Sequence, residues 1–212
     1  MTKRIAPVFL LSHPFSGANI VRSGLSQTPN YVDVGDINKY ENSVQSVEQS
    51  GSEPREFRIV TCGYDMFQSS EFSDWILDNQ LPVIHLIREN TLDCLVSELA
   101  NQKKQLTLNT EAVIHRISQM RNETGEIRAR LLAANSIEIQ YENLRTSTGR
   151  FSDALMRRIY GWLGLPVANV DSLISFPIRE PNWQTIEEIK LKYRPDLTRS
   201  GLGNLYYLPR AA

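Results

Sequence analysis

Short apolar runs recur along the chain, separated by longer stretches of helical periodicity, and that alternation limits the folds open to it. Val8-Phe9-Leu10-Leu11 and Pro82-Val83-Ile84-His85-Leu86-Ile87 are each nearly continuous. A strand reads that way when both of its faces are buried, as inside a parallel sheet. Phe57 to Cys62 supplies another strand, and Ile137 to Tyr141, alternating at period two, supplies a fourth. Helical segments lie between them. Ile20 to Leu25 forms the first, and Ser69 or Ser70 opens a second carrying Phe72, Trp75, Ile76 and Leu77. Asn90 caps a third that runs to Gln105, and Thr110 opens a longer region with an irregularity at Thr124-Gly125. Phe151 to Leu163 is the last firm helix, stopped by Gly164-Leu165-Pro166. Strands alternating with helices predict an α/β fold, a three-layer sandwich around a central parallel sheet.

The 212 residues are expected to form a single domain. Two stretches fall outside the pattern: an irregular, polar excursion over 27–55, with a short helix in its middle, and a tail over 177–212 with one short helix near Thr185 to Lys192. Hydrophobic residues at 41% and charged residues at 22% exclude general disorder. Acidic residues number 24 and basic residues 23, a balance that argues against gripping long nucleic acid, where phosphate neutralisation needs a basic excess. No apolar run approaches the roughly 18 residues of a membrane span, and no targeting segment stands out, so a cytoplasmic location is expected. Cys62 and Cys94 read as core thiols, and no metal-ligand spacing is present.

Two places along the chain carry candidate chemistry. The first is the turn between the first strand and the first helix, where His13, Ser16, Gly17 and Asn19 surround a helix N-terminus. Unpaired N–H groups there bind phosphate or sulfate, although the spacing is not that of a Walker A loop. The second is Arg88, at the carboxyl end of an apolar strand where open α/β sheets bind ligands, with Ser97 nine residues on. The alternative for Arg88 is a surface pair with Glu89 or Asp93. His85 reads as a core histidine, and His115 lies on a helix. Glu142 is placed to cap the next turn, orient an arginine or act as a base.

Taken in order, three stretches resemble the PAPS-dependent sulfotransferase family, in its bacterial and carbohydrate-type branch; PAPS is 3′-phosphoadenosine 5′-phosphosulfate. Phe9-Leu10-Leu11-Ser12-His13-Pro14-Phe15-Ser16-Gly17 is similar to the first strand and 5′-phosphosulfate loop, and Val83 to Ser97 to the 3′-phosphate motif. Ile139-Gln140-Tyr141-Glu142-Asn143-Leu144 resembles a later strand end, and the likeness spans residues 5 to 166. The resemblance implies a core related to P-loop kinases and transfer of a sulfuryl group from PAPS to a hydroxyl or amine of a small molecule or glycan, leaving PAP. It implies that Ser16, Gly17, Ala18 and Asn19 wrap the 5′-phosphosulfate and that Ser97 binds the 3′-phosphate with Arg88. It further implies His13 as an acceptor-side base or sulfuryl contact, and Arg179 as a basic residue closing over the nucleotide. The sequence also departs from the family pattern. Phe15 stands where the family has a lysine or arginine, Asp65 where bacterial relatives often have a lysine, and the common spacing from Ser97 puts Glu89 at the arginine position. The alternative is therefore a catalytically silent member that works as a binding or assembly module with a protein partner.

Overall fold

The computed structural model describes residues 7–26, 31–36, 57–101, 109–146, 148–165 and 183–204. In chain order the elements are β1 (Val8–Ser12), α1 (Ala18–Leu25), β2 (Tyr31–Asp36), β3 (Phe57–Gly63), α2 (Tyr64–Gln68), α3 (Ser70–Asp78), β4 (Val83–Ile87), α4 (Thr91–Asn101), α5 (Thr110–Leu131), β5 (Ser136–Gln140), a 3-10 turn (Tyr141–Asn143), α6 (Asp153–Leu163) and α7 (Trp183–Arg199). The strands form one five-stranded sheet in the order β2-β3-β1-β4-β5. Every pairing is parallel.

The apolar runs have the cause inferred from the sequence. Successive side chains of a strand point to opposite faces, and β1 divides accordingly. Val8 and Leu10 enter one layer with Val21 and Leu25 of α1 and Leu155 and Ile159 of α6. Phe9 and Leu11 enter the other with Phe67 of α2, Phe72 and Ile76 of α3, and Ile127 and Leu131 of α5. These four apolar side chains of β1 are fully buried, each contributing about 1.5–3 kcal/mol relative to exposure. A sheet buried on one side only would forfeit half of that, so the three layers follow from the composition of β1 and β4. A third apolar cluster joins α4, α5 and α7 beyond the sheet.

Three elements differ from the sequence expectations. The stretch over 27–55 contains a strand, β2, at the outer edge of the sheet; its register on β3 shifts between Asp33 and Gly35. Edge strands tolerate such bulges and polar residues because one side of the ladder is open. The helix expected in the middle of that stretch, the extension of α4 to Gln105, and Arg179 all lie outside the described residues. The helix α7 runs past Pro195 to Arg199, because Ile189, Tyr193 and Leu197 continue one buried face at four-residue steps.

The third difference is α5, which is continuous through Thr124-Gly125. Thr124 Oγ1 donates to the Met120 carbonyl at 2.9 Å, one turn back, and a Cβ on Gly125 would meet nothing within 4 Å. Glycine in an open helical position costs about 0.5–1 kcal/mol relative to alanine. Gly125→Ala is therefore expected to raise Tm by about 2 °C in thermal unfolding.

Candidate functional site

The connections from β1 and β3 leave in opposite directions: α1 packs on one face of the sheet, α2 and α3 on the other. The two strands are neighbours and end flush, Ser12 beside Gly63. Such a divergence opens a crevice beyond the carboxyl ends of the strands. A cleft of about 620 Å³ lies there, lined by the loop after β1, by residues from Thr61 to Met66, and by Arg88, Ser97 and Tyr141. Among the described residues, its charged lining consists of Arg88 and Asp65.

Gly17 sets the shape of the loop. It is the N-cap residue of α1 with φ +92°, and a Cβ there would fall 2.4 and 2.6 Å from ring carbons of Tyr141. Only glycine permits both the left-handed turn and the approach of the aromatic ring. Phe15 also has positive φ, 60°, and its side chain is 40% exposed at the cleft. Gly17, Ala18 and Asn19 line the cleft, with the first-turn N–H groups of α1 directed out of the helix end. Ser16 is different: it is buried, its Oγ lies 3.6 Å from Cys94 Sγ, and Cys94 in turn donates to the Pro14 carbonyl at 3.1 Å. The Ser16 side chain thus ties the loop to α4. Both thiols are buried, and burial pushes the Cys62 pKa upward.

Arg88 turns into the cleft. Its side chain is 7% exposed, and Nη1 donates to the Phe15 carbonyl at 3.1 Å and to Ser97 Oγ at 3.4 Å. The guanidinium lies 4.3 Å above the Tyr141 ring, whose hydroxyl accepts a bond from Arg145 at 2.8 Å. Of the two surface partners considered for Arg88, Asp93 is within 4.0 Å but is itself buried, while Glu89 points elsewhere. Glu89 Oε1 accepts from Gln140 at 3.0 Å and faces Arg128 at 3.7 Å. The side chain that meets Ser97 is therefore that of Arg88, nine positions before it in the chain. Glu142 caps α4: its two carboxylate oxygens accept the N–H groups of Glu89 and Asn90 at 3.3 and 3.2 Å. Asn90 Oδ1 adds the expected N-cap bond to the Asp93 N–H at 3.1 Å.

His13 lines the cleft and its Nε2 donates to the Met120 carbonyl at 3.1 Å. A carbonyl can only accept, so the proton sits on Nε2 and Nδ1 keeps its lone pair. Burial holds the pKa of His13 below the ordinary value, against the pull of the Met120 carbonyl and Glu123. Its ring packs against Tyr64, with centroids 4.0 Å apart and the planes tilted by 48°.

His85 is a satisfied core histidine, as the apolar run implied. Tyr64 Oη lies 2.6 Å from its Nε2 and Glu138 3.4 Å from its Nδ1. Burial, outweighing the attraction of Glu138, lowers its pKa from 6.5 to about 4. Below pH 6.5 the unfolded chain takes up a proton that the folded chain refuses until about pH 4. Stability therefore falls with pH across that window, by about 3 kcal/mol from this residue. Denaturant titrations at pH 7 and pH 4.5 are expected to give a smaller difference for His85→Gln than for the parent chain.

Tyr141, Thr61 and Asp93 belong to the site and were not among the candidates read from the sequence. Tyr141 was legible only as part of a strand-end pattern, and nothing in the spacing of the other two pointed to the cleft. Thr61 Oγ1 is buried without a hydrogen-bond partner among the described residues, at the cleft wall.

With this geometry in place, the fold is recognisable as that of sulfotransferases. A sulfotransferase from Alicyclobacillus acidocaldarius superimposes with TM-score 0.55 at 14% identity, covering 98% of this chain and 97% of that one. A mouse sulfotransferase complexed with PAP superimposes with TM-score 0.58 at 14% identity, covering 94% of this chain and 68% of that one. No family profile matches the chain, and no curated protein matches it in sequence. The likeness is one of fold. No helix among the described residues is long and apolar enough to cross a membrane.

Proposed function

We propose that the chain binds PAPS in this cleft and transfers its sulfuryl group to a hydroxyl or amine of a small molecule or glycan. The observation that carries the reading is the meeting of Arg88 with Ser97 at 3.4 Å beside the loop of Phe15 and Gly17. A guanidinium and a hydroxyl converging at a helix-terminal loop suit a phosphate, which accepts a forked pair of charge-assisted bonds. The cleft also fits the donor in two other respects. Gly17 lines the cleft and lets the Tyr141 ring pack beneath Arg88, and Thr61 Oγ1 has a bond to offer.

In this reading Arg88 and Ser97 hold the 3′-phosphate, and the N–H groups of Gly17, Ala18 and Asn19 hold the 5′-phosphosulfate. Ser16 keeps the loop in shape. When bound, the donor supplies an activated sulfuryl group whose bond to the 5′-phosphate oxygen breaks as the acceptor oxygen or nitrogen bonds to sulfur. His13 Nδ1 takes the acceptor proton; its depressed pKa keeps it neutral and able to do so at pH 7. Arg179 would add positive charge from the tail.

The test is calorimetric titration with PAP. A dissociation constant in the micromolar range, weakened about tenfold by Ser97→Ala through loss of one bond to a charged group, supports the donor site. No binding at millimolar PAP overturns it. A second reading, a binding module without transfer, draws on two observations: Phe15 occupies the place of the family's cation, and the acidic Asp65 lines the cleft. That reading predicts PAP binding with no sulfuryl transfer from PAPS to any acceptor.

A further inference from the structure

Behind Arg88 lies a second pair of charges. Asp93 stands on α4 one helical turn before Ser97 and is buried. Its Oδ2 is 4.0 Å from Arg88 Nη2, and its Oδ1 accepts from Lys190 Nζ at 2.5 Å. Lys190 belongs to α7, far along the chain, and is only 2% exposed; Glu187 is 3.9 Å away. The rest of the α7 face is apolar: Ile189, Tyr193 and Leu197 pack with Leu92, Leu95 and Ile117.

An apolar side chain at position 190 would continue that face, and a buried ion pair is not by itself a stabilising choice. The pair makes sense through its third member. Asp93 alone would attract the guanidinium away from Ser97 and cancel its charge toward an incoming anion. With the Lys190 ammonium on its other oxygen, the carboxylate is already neutralised, and the guanidinium keeps its charge toward the cleft.

We propose that Lys190 is a positioning residue of the anion site: by neutralising Asp93 it keeps Arg88 on Ser97 and available to phosphate, so that docking of the C-terminal helix α7 sets the affinity of the cleft. The proposal rests on the reading of Arg88 and Ser97 as the 3′-phosphate site. It has two readouts, PAP affinity by calorimetry and, without ligand, the Arg88 guanidinium resonance in proton–nitrogen NMR, assigned with Arg88→Lys.

Lys190→Met is expected to weaken PAP binding about tenfold, the scale of coupling between contacting charges, and to shift the Arg88 resonance. Asp93→Asn combined with Lys190→Met is expected to return both to near the parent values, and Lys190→Arg to preserve both. A merely structural role for Lys190 would lower Tm in Lys190→Met and leave affinity and resonance unchanged, which would overturn the proposal. So would a double variant as weak as the single one. Should Lys190→Met not fold, Asp93→Asn alone decides: PAP affinity equal to or tighter than the parent agrees, and a tenfold loss contradicts. If the parent chain does not bind PAP, the nucleotide reading fails, and the Arg88 resonance alone judges the role of Lys190.

Discussion

Arg88→Met is expected to weaken PAP binding about 100-fold, within the 2–5 kcal/mol that truncating one partner of a buried, hydrogen-bonded charge pair costs. The side chain has the burial, the ring contact with Tyr141 and the bonds to Phe15 and Ser97 that make such an interaction strong. Arg88→Lys keeps the charge but loses the planar fork that bonds two acceptors while lying on an aromatic face, so it is expected to restore only part of the affinity. Calorimetry on the three proteins, with unfolding curves to confirm that each is folded, measures this directly. Equal affinity in all three would remove Arg88 from the binding site.

The second large effect is expected at Gly17. Alanine there needs a left-handed backbone, costing about 1–2 kcal/mol, and forces its Cβ into the Tyr141 ring, costing about 1–3 kcal/mol more. Gly17→Ala should therefore lose about 3 kcal/mol and roughly 10 °C of Tm. It should also lose most PAP affinity, because relief of the clash moves either the first turn of α1 or the ring under Arg88. Gly161→Ala is the matching control: a Cβ at that helical position meets nothing within 4 Å. Thermal unfolding of both variants checks the contrast, and a Gly17→Ala protein as stable as Gly161→Ala would contradict the loop geometry.

These two residues show how far the sequence reached. β1 and β4 were legible because strands buried on both faces must be apolar throughout, and the Ser-Gly turn was legible as the loop that leads from the first strand into the first helix. β2 was not legible, because an edge strand holding Asp33, Gly35 and Asp36 has neither the composition nor the regular register of the central ones. The short helix expected near Thr185 to Lys192 is longer: α7 continues through Pro195, since the packing of Tyr193 and Leu197 outweighs one lost backbone bond. At the site, the spacing of family motifs pointed to Glu89. The chain instead turns Glu89 out to Gln140 and Arg128 and puts Arg88 on Ser97. Charge type and neighbourhood were in the sequence; the direction of two adjacent side chains at a strand end was not. The contacts of Tyr141 with Gly17 and of Lys190 with Asp93 join residues distant in the chain, and only the packed fold brings them together.

The claim on which the functional account rests is that Arg88 and Ser97 recognise a phosphate on the ribose 3′ position. The direct measurement compares PAP with adenosine 5′-phosphate, which lacks that group, by calorimetry on the same protein at low ionic strength. The account predicts that PAP binds about 30-fold more tightly, the worth of roughly 2 kcal/mol of charge-assisted bonding. Equal affinities for the two nucleotides would contradict it.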